Sequence, residues 1–243
     1  MKKLPAHPTK PTRLWTKRLG VSLLFSIMCG LGLPATAANQ SAESIEELAQ
    51  SLFDQPDVQQ AFIAAFDALA KNPAFAHTKN LQEEIAAGER YAKLGLRRLP
   101  TPQIKQVLNI TLDMFEQIGL NACGKIAKGQ AGTAEQQKIF QALNEFPAAK
   151  TKLWFNLSRT AMEAEINNFP PPASLSQAQA IQALDTIVAY YTKEQRIDLY
   201  TFLQSRTSVS DQQACEVTKR LYKTAINVPE PHAKIVLQAM ALR

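Results

Sequence analysis

From Pro56 onward the stretch PDVQQAFIAAFDALAKN places apolar residues at Val58, Ala61, Phe62, Ala65, Phe66 and Leu69. That three-and-four spacing puts them on one face of an α-helix. The segment TPQIKQVLNITLDMFEQIG repeats it with Ile104, Val107, Leu108, Leu112, Phe115 and Ile118, and Ile110 and Met114 add a second apolar side, which predicts a central helix. The same reading predicts further helices near 43–53, 80–98, 121–128, 133–146, 148–168, 176–191, 193–205, 211–226 and 231–242. No stretch alternates apolar and polar residues between turn signals as a strand does. Pro73, Pro100, Pro147, Pro170-Pro171-Pro172 and Pro229 fall between these segments or at their starts. The expected fold class is all-α: a single-domain multi-helix bundle of about 9–11 helices, with Pro170–Pro172 as a corner inside it.

Several of these segments open in the same way. Ser176 precedes Gln179, Thr192 precedes Gln195 and Thr133 precedes Gln136, each by three residues. This is the capping box: the hydroxyl accepts from a first-turn N–H, and the Gln reaches back to the N–H of the cap residue. Leu99 to Gln103, LPTPQ, matches only in part, because Pro100 stands where the hydroxyl belongs.

The strings YTKEQ (Tyr191 to Gln195) and LSQAQ (Leu175 to Gln179) also resemble the LTxxQ motif of periplasmic stress proteins and chaperones of the CpxP and Spy family. That resemblance implies a small, all-helical protein that binds unfolded clients. YTKEQ lacks the Leu, LSQAQ has Ser for Thr, and the family lacks a matching cysteine pair. Capping alone accounts for the shared letters.

The N-terminus changes the reading of charge. Lys2, Lys3, Lys10, Arg13, Lys17 and Arg18 precede the 13-residue apolar run Val21 to Leu33, and PATAA follows, with Ala35 and Ala37 at small-residue positions. This is the pattern of a cleavable secretory signal peptide over residues 1–37, with cleavage expected near Ala37 or Ala38. The run is short of the roughly 20 apolar residues that span a bilayer. Removing six of the 27 Lys and Arg leaves 21 against 21 Asp and Glu. The remaining chain, 38–243, is therefore neutral, and its charge gives no reason to expect nucleic-acid binding. No integral membrane segment is expected after processing.

Export also decides how the cysteines are read. Cys29 lies in the signal segment, leaving Cys123 and Cys215, and in an oxidising compartment such a pair is expected to be bridged. Each follows an Ala and lies 20 residues after a Gln (Gln103, Gln195), so the two halves could be a decayed duplication. Two sequons, at Asn109 and Asn156, fall inside helical segments where a glycan is hard to place, which favours a bacterial periplasm.

Signatures of catalysis are sparse. His77 and His232 are the histidines of the exported chain, and no H-E-x-x-H, C-x-x-C, G-x-S-x-G or phosphate loop occurs. No catalytic residue, metal or cofactor is expected. Carboxylates are the exception, since a glycosidase needs two across a cleft. Glu83, Glu84, Glu89, Glu163 and Glu165 are the candidates for a muramidase-like hydrolase of cell-wall polysaccharide. The plainer expectation is solvated surface charge, with Glu89 four residues before Lys93 and Arg97-Arg98 complementing the helix dipole.

Phe155, Met162, Ile166 and Phe169 form a stripe expected to be core. Trp154 projects about 100° from Phe155, and Trp154 with Tyr190 is the expected partner surface. The function expected from these features is that of a secreted or periplasmic, non-catalytic binding protein. Its partner is expected to be another protein, engaged as a chaperone, adaptor, inhibitor or immunity factor would; a small lipid or peptide between helices is the other ligand class.

Overall fold

The computed structural model describes residues 44–70, 72–73, 80–170 and 175–241. The proposed signal segment 1–37, His77, Pro171 and Pro172 lie outside these residues. Within them the chain forms ten α-helices and no strand. They are α1 (Ile45–Leu52), α2 (Pro56–Ala70), α3 (Leu81–Gly95), α4 (Thr101–Lys128), α5 (Thr133–Glu145), α6 (Ala148–Ile166), α7 (Gln177–Val188), α8 (Lys193–Gln204), α9 (Asp211–Asn227) and α10 (His232–Ala241). Single 3-10 turns follow α3 (Leu96–Arg98) and α8 (Arg206–Ser208).

The caps explain where most helices start. Ser176 accepts from the Gln179 N–H at 3.2 Å while Gln179 Oε1 accepts from the Ser176 N–H at 2.8 Å. Thr192 and Gln195 make the same exchange at 3.3 and 3.0 Å. Ser44, Asn80 and Ser210 accept from the third residue beyond them in α1, α3 and α9. The expected box at Thr133 is different: Gly132 is the cap, Thr133 is already helical, and Glu135 reaches back to the Gly132 N–H at 2.9 Å. The glycine takes the extended cap conformation, so the hydroxyl is one residue too late to accept.

The long helix α4 bends at Gly119, whose φ of 80° no helical residue adopts, and ends at Gly129 with φ 71°. Beyond the bend lie Cys123 and Gly124. A Cβ on Gly124 would stand 1.9 Å from the Asp211 carbonyl oxygen, so α9 begins against bare α4 backbone. This close approach brings the Cα atoms of Cys123 and Cys215 to 5.3 Å, and the two form a disulfide. Lys219 pairs with Glu116 at 2.5 Å, Lys128 pairs with Asp211, and Phe115 stacks on Tyr222 at 6.1 Å, so α4 and α9 run antiparallel along their length.

A second seam is built on α6, which packs against α3 and α2. Phe53 sits at its centre, with ring centroids 5.4 Å from Phe62, 5.4 Å from Phe155 and 6.0 Å from Phe140. Asn144 ties α5 to the α1–α2 turn, donating to the Leu52 carbonyl at 2.6 Å and accepting from the Asp54 N–H at 3.2 Å. α4 touches both groups, and a single apolar cluster runs from Leu48 to Met240. The expected core stripe holds at Phe155 and Met162 but not at Phe169, which is 72% exposed. The helix has ended at Ile166, and Asn168 at φ 51° turns the chain away.

Two outcomes follow for stability. Ser176→Ala and Thr192→Ala should each cost about 0.5–2 kcal/mol in urea unfolding, adding within a few tenths, while Thr133→Ala should stay within about 0.5 kcal/mol. The Cys123→Ser, Cys215→Ser double variant should lose about 2–5 kcal/mol, since the bridge closes a loop spanning 92 positions.

Candidate functional site

Of the two residues expected to form a partner surface, only Tyr190 is at the surface, 58% exposed in the turn after α7. Trp154 is fully buried. The sequence argument allowed α6 one buried face, but α3 and α2 cover it from different sides, so Trp154 and Phe155 both enter the core. Tyr191 is also buried, beneath Arg220 at 6.0 Å from its ring.

Arg97 and Arg98 do more than complement the dipole of their own helix. Glu165 receives Arg97 at 3.0 Å and Arg98 Nε at 2.5 Å. Arg98, only 6% exposed, also donates to the Pro170 carbonyl and to Asn168 Oδ1, both at 2.6 Å. Its fork therefore closes the C-terminal end of α6, where unpaired carbonyls and the negative dipole end collect. Burial opposes the Glu165 charge, but the hydrogen bonds and charges of Arg98 and Arg97 outweigh it and hold the carboxyl below its usual range. A carboxylate so engaged is not free to act as a base or nucleophile.

The other carboxylate candidates separate in the same way. Glu163 pairs with Arg159 at 3.5 Å on the surface of α6. Glu84 is pushed above its usual range by burial first and then by the charges of Asp67 and Glu46. Glu89 departs most from expectation. It makes no pair with Lys93; among the described residues its Oε1 is buried without a hydrogen-bond partner, and burial alone pushes its carboxyl up to about 8. Ile85 and Ala92, the buried stripe of α3, lie four residues before and three after it, about 40° and 60° round the helix. That flanking was readable in the sequence, where the Lys93 spacing drew attention away from it.

No group of three metal-ligating side chains occurs among the described residues, and no described helix is long and apolar enough to cross a membrane. Comparison with known proteins gives no match. No family model fits the chain, no curated protein is significantly similar in sequence, and no solved structure is significantly similar in fold. In the two strings that resemble LTxxQ, the side chains of Ser176 with Gln179 and of Thr192 with Gln195 are engaged as helix caps.

The clamp gives a test of its own. Arg98→Ala leaves Asn168 Oδ1 and the Pro170 carbonyl without this donor and Glu165 with Arg97 alone, and should cost about 3–5 kcal/mol in chemical unfolding. Arg98→Lys should recover only part, because an ammonium cannot reproduce the fork. Since the Glu165 carboxyl is held low in the folded state, its contribution is present above pH 4.5 and lost as pH falls through the folded value, and Arg98→Ala should flatten that acid limb.

Proposed function

We propose that the protein is a non-catalytic helical binding protein that works in the periplasm or outside the cell by engaging another protein. The observation that carries this reading is the set of large apolar side chains left exposed on α7, the following turn and α8. Tyr190 is 58% exposed and Ile197 56%, with Ile181 exposed on α7. α8 buries only Leu199 and Phe202 of its 12 residues, and packs chiefly on α9. Large apolar side chains held out on a thinly packed helix are the usual material of a protein interface, with tyrosine among the favoured anchors. Chaperone, adaptor, inhibitor and immunity factor are the partner classes that fit.

A second reading is favoured by one observation. Glu89, with its carboxyl near 8, is protonated at neutral pH, as a general acid of a wall-polysaccharide hydrolase has to be. Such an enzyme needs a second carboxylate across the scissile bond. Glu165 is tied to two arginines and Glu163 to Arg159, which leaves the binding reading ahead.

Photo-crosslinking in the exporting cell separates them. A photoreactive side chain at Tyr190 or Ile197 should capture a defined protein, while one at Glu83, on another face, should not. Tyr190→Ser with Ile197→Ser should abolish the adduct and shift stability by no more than about 0.5 kcal/mol per site. Absence of any adduct, together with release of muropeptides by the wild type and not by Glu89→Gln, would replace the binding reading with the hydrolase.

A further inference from the structure

Among the described residues, four buried side-chain polar atoms without hydrogen-bond partners lie on one pair of helices, while those of Gln103, Tyr191 and Arg220 lie elsewhere. Glu89 Oε1, Arg97 Nε, Trp154 Nε1 and Arg159 Nε all belong to α3, the turn after it, or α6. Buried polar groups are nearly always satisfied in native structures, so the unpaired Glu89 carboxyl oxygen and Trp154 indole N–H on these two packed helices call for a physical account.

Its geometry is asymmetric. At one end a Cβ on Gly95 would stand 1.7 Å from the Ala161 carbonyl oxygen, and just beyond it Arg98 grips Glu165. These contacts advance together along both helices, so α3 and α6 run in the same direction. Two turns back, the same register brings Gly88 level with Trp154, and Glu89 is the next residue. One end of the seam is pinned by backbone contact and a forked ion pair, and the other holds a carboxyl with no partner.

No neighbouring charge steadies that carboxyl. From α6, Lys150 pairs with Asp113, Lys152 with Asp57, Arg159 with Glu163, and Glu165 with Arg97 and Arg98. From α2, Asp57 is taken by Lys152, and Asp67 acts on Glu84. On α3 itself, Glu83, Glu84, Arg90 and Lys93 leave Glu89 unshifted, as burial is its only influence. Glu89 is therefore accommodated in the closed seam as a neutral acid, and an ionised carboxylate there would seek water.

We propose that α3 is a proton-operated flap: with Glu89 protonated its early turns lie closed on α6, and ionisation of Glu89 releases them about a pivot at Gly95–Ala161 and the Arg98–Glu165 clamp. Opening uncovers Ile85, Ala92 and the Trp154 indole, an apolar strip separate from the α7–α8 surface. The closed flap holds a carboxyl that titrates near 8, and the open one a carboxyl near its ordinary 4.5. Closure is thus fully favoured below pH 4.5, weakens as pH rises, and reaches its minimum above about 8. Across that window the opening equilibrium should rise by up to about tenfold per pH unit.

Hydrogen exchange of the full chain, corrected for intrinsic rates, tests this. Amides of the early turns of α3 should lose protection from pH 5 to 8 and level off above it, while amides of α9 keep theirs. Glu89→Gln, a neutral near-isostere, should abolish the pH dependence, and Glu89→Met should do so if the amide variant folds poorly. With Trp15→Phe making Trp154 the sole indole, its emission should shift to the red from pH 6 to pH 9 only when Glu89 is present. Equal α3 protection at pH 6 and 9, a pH dependence that survives both substitutions, or a parallel loss in α9 would each overturn the flap.

Discussion

The close crossing of α4 and α9 at Gly124 and Asp211 is the constraint on which the rest of the architecture depends. A side chain on Gly124 would occupy the place of the Asp211 carbonyl, so the crossing exists only because that position has none. It sets the Cα separation that the Cys123–Cys215 bridge then fixes, and the ion pairs of Lys128 with Asp211 and Lys219 with Glu116 lie on either side of it. α5, α6 and α10 all pack on α4. The bridge constrains the unfolded chain, but the glycine is what lets the folded chain meet the bridge geometry.

The α6 seam is held by different physics. Five phenylalanines from α1's end, α2, α5 and α6 interlock around Phe53, largely in edge-on or tilted contacts. Such a cluster is strongly cohesive but tolerates sliding, since area burial has no direction of its own. Arg98 supplies the direction. Its donors meet Glu165, Asn168 and the Pro170 carbonyl in one arrangement of α3 against α6, so the buried pair fixes register more than it adds stability.

Helix boundaries were legible because caps and prolines are local: Ser176, Thr192 and Pro100 act within one turn of where they stand. The cysteine pair was legible because setting Cys29 aside with the expected signal segment leaves two thiols and one pairing. What failed depended on neighbours distant in sequence. Trp154 is buried because two helices flank α6, and Thr133 misses its cap because Gly132 turns the backbone first. The isolation of Glu89 is tertiary as well: its i+4 spacing to Lys93 is that of a surface pair, and only packing shows that no pair forms.

The two unusual regions lie on different supports, which bears on how they would work. Tyr190 and Ile197 lie in the turn before α8 and on α8, which packs chiefly on the bridged α9, so their surface is tied to the disulfide-linked helix pair. Glu89 and Trp154, each with an unpaired buried polar atom, sit about two turns from the end of the seam that Arg98 clamps. Local opening draws on the least stable contacts of a fold, and in the proposed flap these are the early turns of α3, away from the clamp. The proposed binding surface and the proposed flap thus rest on different helices of the fold. The sequence separates the two regions by placing the close-contact glycine and cysteine in α4 and the unpaired carboxyl in α3.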